Sequence, residues 1–169
     1  ALVALIDRSC KDAFLGYVPD ETKFDYVIMS PGVSPELEFV KKAEQAGAEV
    51  IGELELAYRL CKGIFVAITG TNGKTTTTSL VGEIFERSKR KTSVVGNIGK
   101  AVIGAALEAT KDDWLVTEVS SFQLETTREF RPLVSAILNL TPDHLNRHHT
   151  METYGAAKAK IFANQKKEQ

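Results

Sequence analysis

The residues of this sequence with the clearest chemical vocation form one short run, Gly70-Thr71-Asn72-Gly73-Lys74-Thr75-Thr76. Two glycines let backbone N–H groups turn inward around phosphate oxygens. A helix beginning at the lysine adds positive partial charge at the same place. Lys74 is then placed to reach terminal phosphates, and the Thr75 hydroxyl to ligate Mg2+. The usual phosphate-loop pattern has a further glycine five residues before Gly73, where this chain has Ile68. The bland alternative is a glycine turn ahead of a helix.

Other chemistry-bearing residues follow apolar runs further along. Trp114 to Val119 leads into Glu118-Val-Ser120-Ser-Phe-Gln123, Leu133 to Leu138 into Asn139-Leu-Thr-Pro-Asp143-His144, and Val94-Val95 into Gly96-Asn97-Ile-Gly99. Carboxylates, a histidine, amides and hydroxyls beside a phosphate loop are the inventory of a metal–nucleotide site with a second substrate. Taken singly, Glu118 could be a satisfied strand-end carboxylate and His144 a cap or core histidine. Lys158 shares a helical stripe with Tyr154, Ile161 and Phe162, whereas Lys160 points away. A lysine on an apolar face is desolvated and drifts toward its neutral amine, open to modification or to a role beside a ligand. Snorkelling over the core edge is the plainer reading.

These groups need elements to hold them. Leu2 to Ile6, Tyr26 to Met29, Ile64 to Ile68, Trp114 to Val116 with Val119, and Leu133 to Leu138 are short apolar runs without alternation, as in strands buried on both faces of a parallel sheet. Helical stripes lie between and after them: Leu37, Val40 and Ala43 within Pro35 to Ala46; Leu80, Val81, Ile84 and Phe85; and Tyr154, Ala157, Ile161 and Phe162. Alternating strands and helices predict an α/β fold with right-handed crossovers, where ligands collect outside the carboxyl ends of the strands. The chain divides best near Lys62-Gly63, after a short edge strand at Val50-Ile51 and a helix over Glu53 to Cys61. The expectation is a partial Rossmann-like unit over 1–62 and part of a P-loop ATP-binding domain over 63–169.

Composition narrows the function. The 169 residues carry 21 basic and 22 acidic side chains, a net charge of −1, which argues against a nucleic-acid coat or an electrostatic membrane binder. No apolar run is long enough to span a bilayer. Two cysteines, Cys10 and Cys61, make no disulfide framework and fit a reducing compartment. The basic pair Lys166-Lys167 reads as a solvated end.

Taken in order, Gly70-Thr-Asn-Gly-Lys-Thr-Thr, Gly96-Asn-Ile-Gly, Glu118-Val-Ser-Ser-Phe-Gln-Leu-Glu125, Leu138-Asn-Leu-Thr-Pro-Asp-His-Leu145 and Tyr154-Gly-Ala-Ala-Lys158 resemble the Mur ligases of bacterial peptidoglycan synthesis. The stretch Ser120 to Glu125 and Met29-Ser-Pro-Gly-Val33 look most like the members that add D-glutamate; a histidine is usual at the place of Phe122 in those adding meso-diaminopimelate or lysine. The resemblance implies a cytoplasmic, ATP-dependent amide ligase. In such enzymes ATP phosphorylates the carboxylate of UDP-N-acetylmuramoyl-L-alanine, and the amine of D-glutamate displaces phosphate from the acyl phosphate. It implies two Mg2+ ions. Thr75 and Glu118 match ligands of the ATP-side ion, and His144 a ligand of the second. Lys158 matches a lysine that is carbamylated beside that second ion. Lys74 matches the lysine steadying the transferred charge. Asn97, Ser120 and Gln123 match positions near the muramoyl substrate, Ser30-Pro31-Gly32 the loop near the UDP diphosphate, and Asp7 a position near the uridine.

Family members also open with a strand and glycine-rich turn and close with a third, Rossmann-like domain. The resemblance therefore implies a chain truncated at both ends and inactive alone, with a monomer as the expected state. Another Mur-type ligase, a folylpolyglutamate-synthase-like ligase, or a P-loop NTPase of other function are the alternatives. The last would want a Walker-B aspartate after a strand, and Glu118 and Asp143 only approximate one.

Overall fold

The computed structural model describes residues 24–166. Four strands form a parallel sheet: β3 (Ile64–Thr69), β4 (Thr92–Gly96), β5 (Trp114–Glu118) and β6 (Val134–Ile137), in the order β4-β5-β3-β6. A separate two-stranded sheet pairs β1 (Tyr26–Met29) with β2 (Glu49–Gly52). Helices α1 (Glu38–Gln45), α2 (Glu53–Leu60), α3 (Lys74–Arg87), α4 (Val102–Glu108), α5 (Ser121–Glu125), α6 (Leu145–His148) and α7 (Met151–Ala159) complete the set, with a 3-10 turn at Lys160–Phe162. This is the α/β class expected, with a mainly parallel sheet. The strand expected at Leu2 to Ile6, Cys10, Lys167 and the candidate Asp7 lie outside the described residues.

β3 and β5 occupy the centre because their side chains are apolar on both faces. Phe65 and Ala67 of β3 and Leu115 of β5 join Leu54, Ala57, Val95, Val102, Ala106, Leu124, Phe130 and Ile161 under α2, α4 and α5. Val66, Ile68 and Val116 face the opposite way, onto Val81, Phe85 and Leu138. Edge-on ring contacts of 5.6 and 5.7 Å join Phe130 to Tyr58 and Phe65. Register is fixed at the ligand end, where Glu118 lies opposite Ile68 on one side and Gly96 on the other.

Four sequence expectations shift. The stripe on α3 is narrower than Leu80-Val81-Ile84-Phe85: Val81 and Phe85 pack on the sheet, while Leu80 and Ile84 are more than half exposed, because Thr78 and Gly82 take the inward positions. Gly82 is there for closeness, since a Cβ would stand 2.3 Å from Val94 Cγ2. The run Leu133 to Leu138 is an edge strand rather than one buried on both faces; Val134 and Ile137 are exposed because, among the described residues, β6 pairs only with β3. Phe162 leaves its stripe because α7 tightens into the 3-10 turn, which changes the angular spacing after Ala159. α1 starts at Glu38, three residues after Pro35, with Leu37 exposed at its N-cap.

Two compact units partition the described chain. The smaller holds the residues before Ile28 and Ser34–Val50; the larger holds Ile28–Val33 and everything from Ile51. α2, which the sequence places ahead of a boundary at Lys62-Gly63, packs into the core of the larger unit. Its fully buried Glu55 accepts hydrogen bonds from Arg59 Nε and from the backbone N–H of Arg128, Glu129 and Phe130, at 2.8 to 3.0 Å. Among the described residues no helix is long and apolar enough to cross a membrane.

Candidate functional site

The carboxyl ends of β3, β4, β5 and β6 converge on one cleft of about 350 Å³ in the larger unit. Pro31, Gly32, Lys74, Asn97, Ser120, Ser121, Phe122, His144, Tyr154 and Lys158 line it. The phosphate loop rises directly from β3. Gly70 and Gly73 have φ of 154° and 80°, conformations that L side chains rarely adopt. Lys74 Nζ donates to the carbonyls of Gly70 and Thr71 at 2.9 and 2.8 Å, so the ammonium is already folded over its own loop. The first helical bond of α3 runs from Thr77 N–H to Gly73 O, so Gly73 through Thr76 start the helix with N–H groups that have no partner of this kind. Thr75 and Thr76 are exposed.

Glu118, 1% exposed at the end of β5, is held from two sides. Thr75 Oγ1 donates to Oε2 at 2.8 Å and Asn97 Nδ2 to Oε1 at 2.9 Å. Gly96 makes this possible: a Cβ there would lie 2.1 Å from Glu118 O. Among the described residues no three His, Cys, Asp or Glu side chains converge as a metal cluster. The Thr75 hydroxyl and the Glu118 carboxylate are hard oxygen donors of the kind that would suit a magnesium ion.

Lys158 is 2% exposed, facing inward from α7, with Nζ donating to Gly70 O at 2.9 Å and Thr69 Oγ1 at 3.3 Å. Lys74 uses the same Gly70 carbonyl. Burial, then the nearby Lys74 charge, lower the Lys158 pKa from 10.5 to about 8, against an opposing pull from Asp143. Its ammonium also lies 4.8 Å from the centre of the Tyr154 ring. His144 has a left-handed backbone (φ 52°) and a half-exposed ring at the rim, 4.9 Å from the Phe122 ring.

The structure brings Lys74, Asn97, Ser120, His144, Lys158, Pro31 and Gly32 into one cleft, with Glu118 just behind Thr75. Ser30 is exposed, its carbonyl accepting from Val33 N–H in a turn. Gln123 is mostly buried and is occupied as a cap: Ser120 Oγ accepts from Gln123 N–H, and Gln123 Oε1 accepts from Ser120 N–H. Sequence reasoning gave no role to Asn139, to the Tyr154 hydroxyl or to His148. Asn139 does stand at the end of β6, where the strand-end rule would place a functional group. His148 is buried, hydrogen-bonded to Ser121 Oγ at 2.9 Å and stacked on Phe122; burial lowers its pKa. A helical stripe cannot announce it, because α6 is a single turn.

Comparison with known proteins gives the chain its family. The chain is 64% identical over 141 residues to a UDP-N-acetylmuramoylalanine--D-glutamate ligase of Alkaliphilus oremlandii, covering 83% of this chain and 31% of that one. Proteins of the same name from Caldanaerobacter subterraneus (59%, covering 86% and 32%) and Clostridioides difficile (60%, covering 89% and 34%) match similarly. The chain thus spans about a third of the length of these curated relatives. Residues 68–169 match the family described as the Mur ligase middle domain, and on that match the chain belongs to the Mur ligase family.

Proposed function

We propose that this chain forms part of an ATP-dependent ligase that joins D-glutamate to UDP-N-acetylmuramoyl-L-alanine in the cytoplasm during peptidoglycan synthesis. The observation that carries the reading is one cleft lined by Lys74 of the phosphate loop, His144 and a buried lysine, with the Thr75–Glu118 oxygen pair joined to the same loop. The names of the matched relatives supply the substrates. On this reading 1–62 contributes a UDP-binding domain and 63–169 the ATP-binding one, with α2 of the first stretch packed into the core of the second.

The chain's own groups suit phosphoryl transfer, which depends on positioning and charge neutralisation more than on covalent chemistry. Lys74 and the free N–H groups at the start of α3 hold the polyphosphate. Thr75 and Glu118 would hold one Mg2+, and His144 with a carbamylated Lys158 a second; bound there, the ions neutralise charge on the phosphates. The lowered pKa of Lys158 favours carbamylation, in which the neutral amine forms a C–N bond to carbon dioxide and releases a proton. Asn97 and Ser120, which line the cleft, would lie near the muramoyl substrate, with Gln123 fixing Ser120. Ser30, Pro31 and Gly32 would flank the diphosphate. The terminal phosphoryl group then passes to the alanyl carboxylate, and the amine of D-glutamate displaces phosphate.

The test is phosphate release from ATP by the protein expressed from its complete reading frame. Release that requires both UDP-N-acetylmuramoyl-L-alanine and D-glutamate is the expected result. Release that ignores either substrate, or that follows a folate and L-glutamate instead, overturns the proposal.

A further inference from the structure

We propose that Asn139 is a positioning residue for the nucleotide, its carboxamide shaping the phosphate loop from outside. This rests on reading that loop as an ATP site. The loop is short, with only Thr71 and Asn72 between its glycines, and Ile68 where the longer pattern has a further glycine. Both intervening residues turn their N–H groups toward one atom: Thr71 N–H and Asn72 N–H donate to Asn139 Oδ1 at 3.1 and 2.9 Å. The other end of the carboxamide returns the contact, Asn139 Nδ2 donating to Asn72 O at 3.0 Å. Two donors meet the oxygen and a carbonyl meets the nitrogen, so a flipped amide would oppose like poles.

A second junction reinforces the first. Thr71 Oγ1 accepts from Thr141 N–H at 3.0 Å, donates to Thr141 O at 3.1 Å and lies 3.2 Å from the Tyr154 hydroxyl. The backbone of Asn139 also accepts from Thr71 N–H at 3.1 Å. Gly70 allows the approach, since a Cβ there would stand 3.1 Å from Leu138 Cβ.

These bonds divide the loop's donors into two sets. The N–H groups of Thr71 and Asn72 are committed to Asn139. Those of Gly73 to Thr76 remain for phosphate, as does the Lys74 ammonium, which itself rests on Thr71 O. Asn139 therefore acts on the nucleotide through the loop and needs no contact with it. Removing its carboxamide takes both partners from the backbone of Asn72 and leaves Thr71 N–H on the Asn139 carbonyl alone, which loosens the mouth of the loop, while Glu118, His144 and Lys158 keep their own supports.

The experiment is steady-state kinetics of the protein from its complete reading frame, wild type against Asn139→Ala and Asn139→Asp. Loss of about two neutral hydrogen bonds should raise KM for ATP about tenfold or more, with kcat within about threefold and KM for the muramoyl substrate unchanged. Asn139→Asp keeps the shape but sets a carboxylate oxygen against Asn72 O, so it should raise KM for ATP as well, and it carries the test if the alanine variant does not fold. A fall in kcat with both KM values unchanged would mean only a smaller folded fraction, and would overturn the proposal. An unchanged KM for ATP in both variants beside an active wild type overturns it and leaves the ligase reading standing. A wild type without ATP turnover overturns both.

Discussion

Replacing Lys158 with methionine should stabilise the protein near neutral pH, although the lysine lies in the candidate site. Methionine has a similar length and no charge to bury. Unfolded, the lysine titrates near its ordinary value of about 10.4; folded, it titrates at about 8. Between those values the unfolded chain binds more protons, so the free energy of unfolding rises with pH across the window and is lowest below it. A shift of this size corresponds to about 3 kcal/mol held against the folded state below pH 8. The hydrogen bonds to Thr69 Oγ1 and Gly70 O return part of that, and Gly70 O retains Lys74 when Lys158 is removed. Lys158→Met should therefore be more stable than wild type by about 1–3 kcal/mol at pH 7, the gap closing as pH rises from 8 toward 10. Urea unfolding at fixed ionic strength in carbon-dioxide-free buffer, from pH 6.5 to 10, measures it. A gap that stays flat across that range would refute the reasoning, because the buried ammonium would then not be its source.

Three further outcomes can be checked. Lys74→Ala should leave the melting temperature within a few degrees yet abolish ATP-dependent phosphate release, since its bonds are to the loop it serves; retained turnover would contradict its role. Glu55→Ala should destabilise by about 3–5 kcal/mol in denaturant unfolding, because three backbone N–H groups, that of Phe130 buried, and Arg59 lose their shared acceptor. Gly96→Ala should cost several kcal/mol in the same measurement, since φ is 110° there and the methyl would collide with Glu118 O; a neutral effect would mean that the strand can shift without harm.

The central strands were legible because burial on both faces leaves uninterrupted apolar runs, as in Ile64-Phe-Val-Ala-Ile. The phosphate loop was legible because glycines and a lysine must stand at fixed spacing along one segment. What stayed hidden were relations between segments. Nothing near Glu55 in the chain indicates that its carboxylate will hold Arg128 to Phe130. Asn139 is an ordinary strand-end asparagine until Thr71 and Asn72 stand beside it. Leu80 and Ile84 misled because helical spacing reports which residues share a face, whereas closeness of packing chose Gly82 for the inward side.

The chain Thr75–Glu118–Asn97 restricts how such a sequence can drift. One carboxylate serves two donors carried by different segments, the first turn of α3 and the turn after β4, so neither donor can be exchanged without changing what the other meets. Substitutions at these three positions should be strongly non-additive, and a double-mutant cycle between Thr75→Val and Asn97→Ala should show coupling although the two side chains share only Glu118 as partner. Tolerated change would arrive in matched sets, and these three positions, distant in sequence, would behave as a single heritable unit.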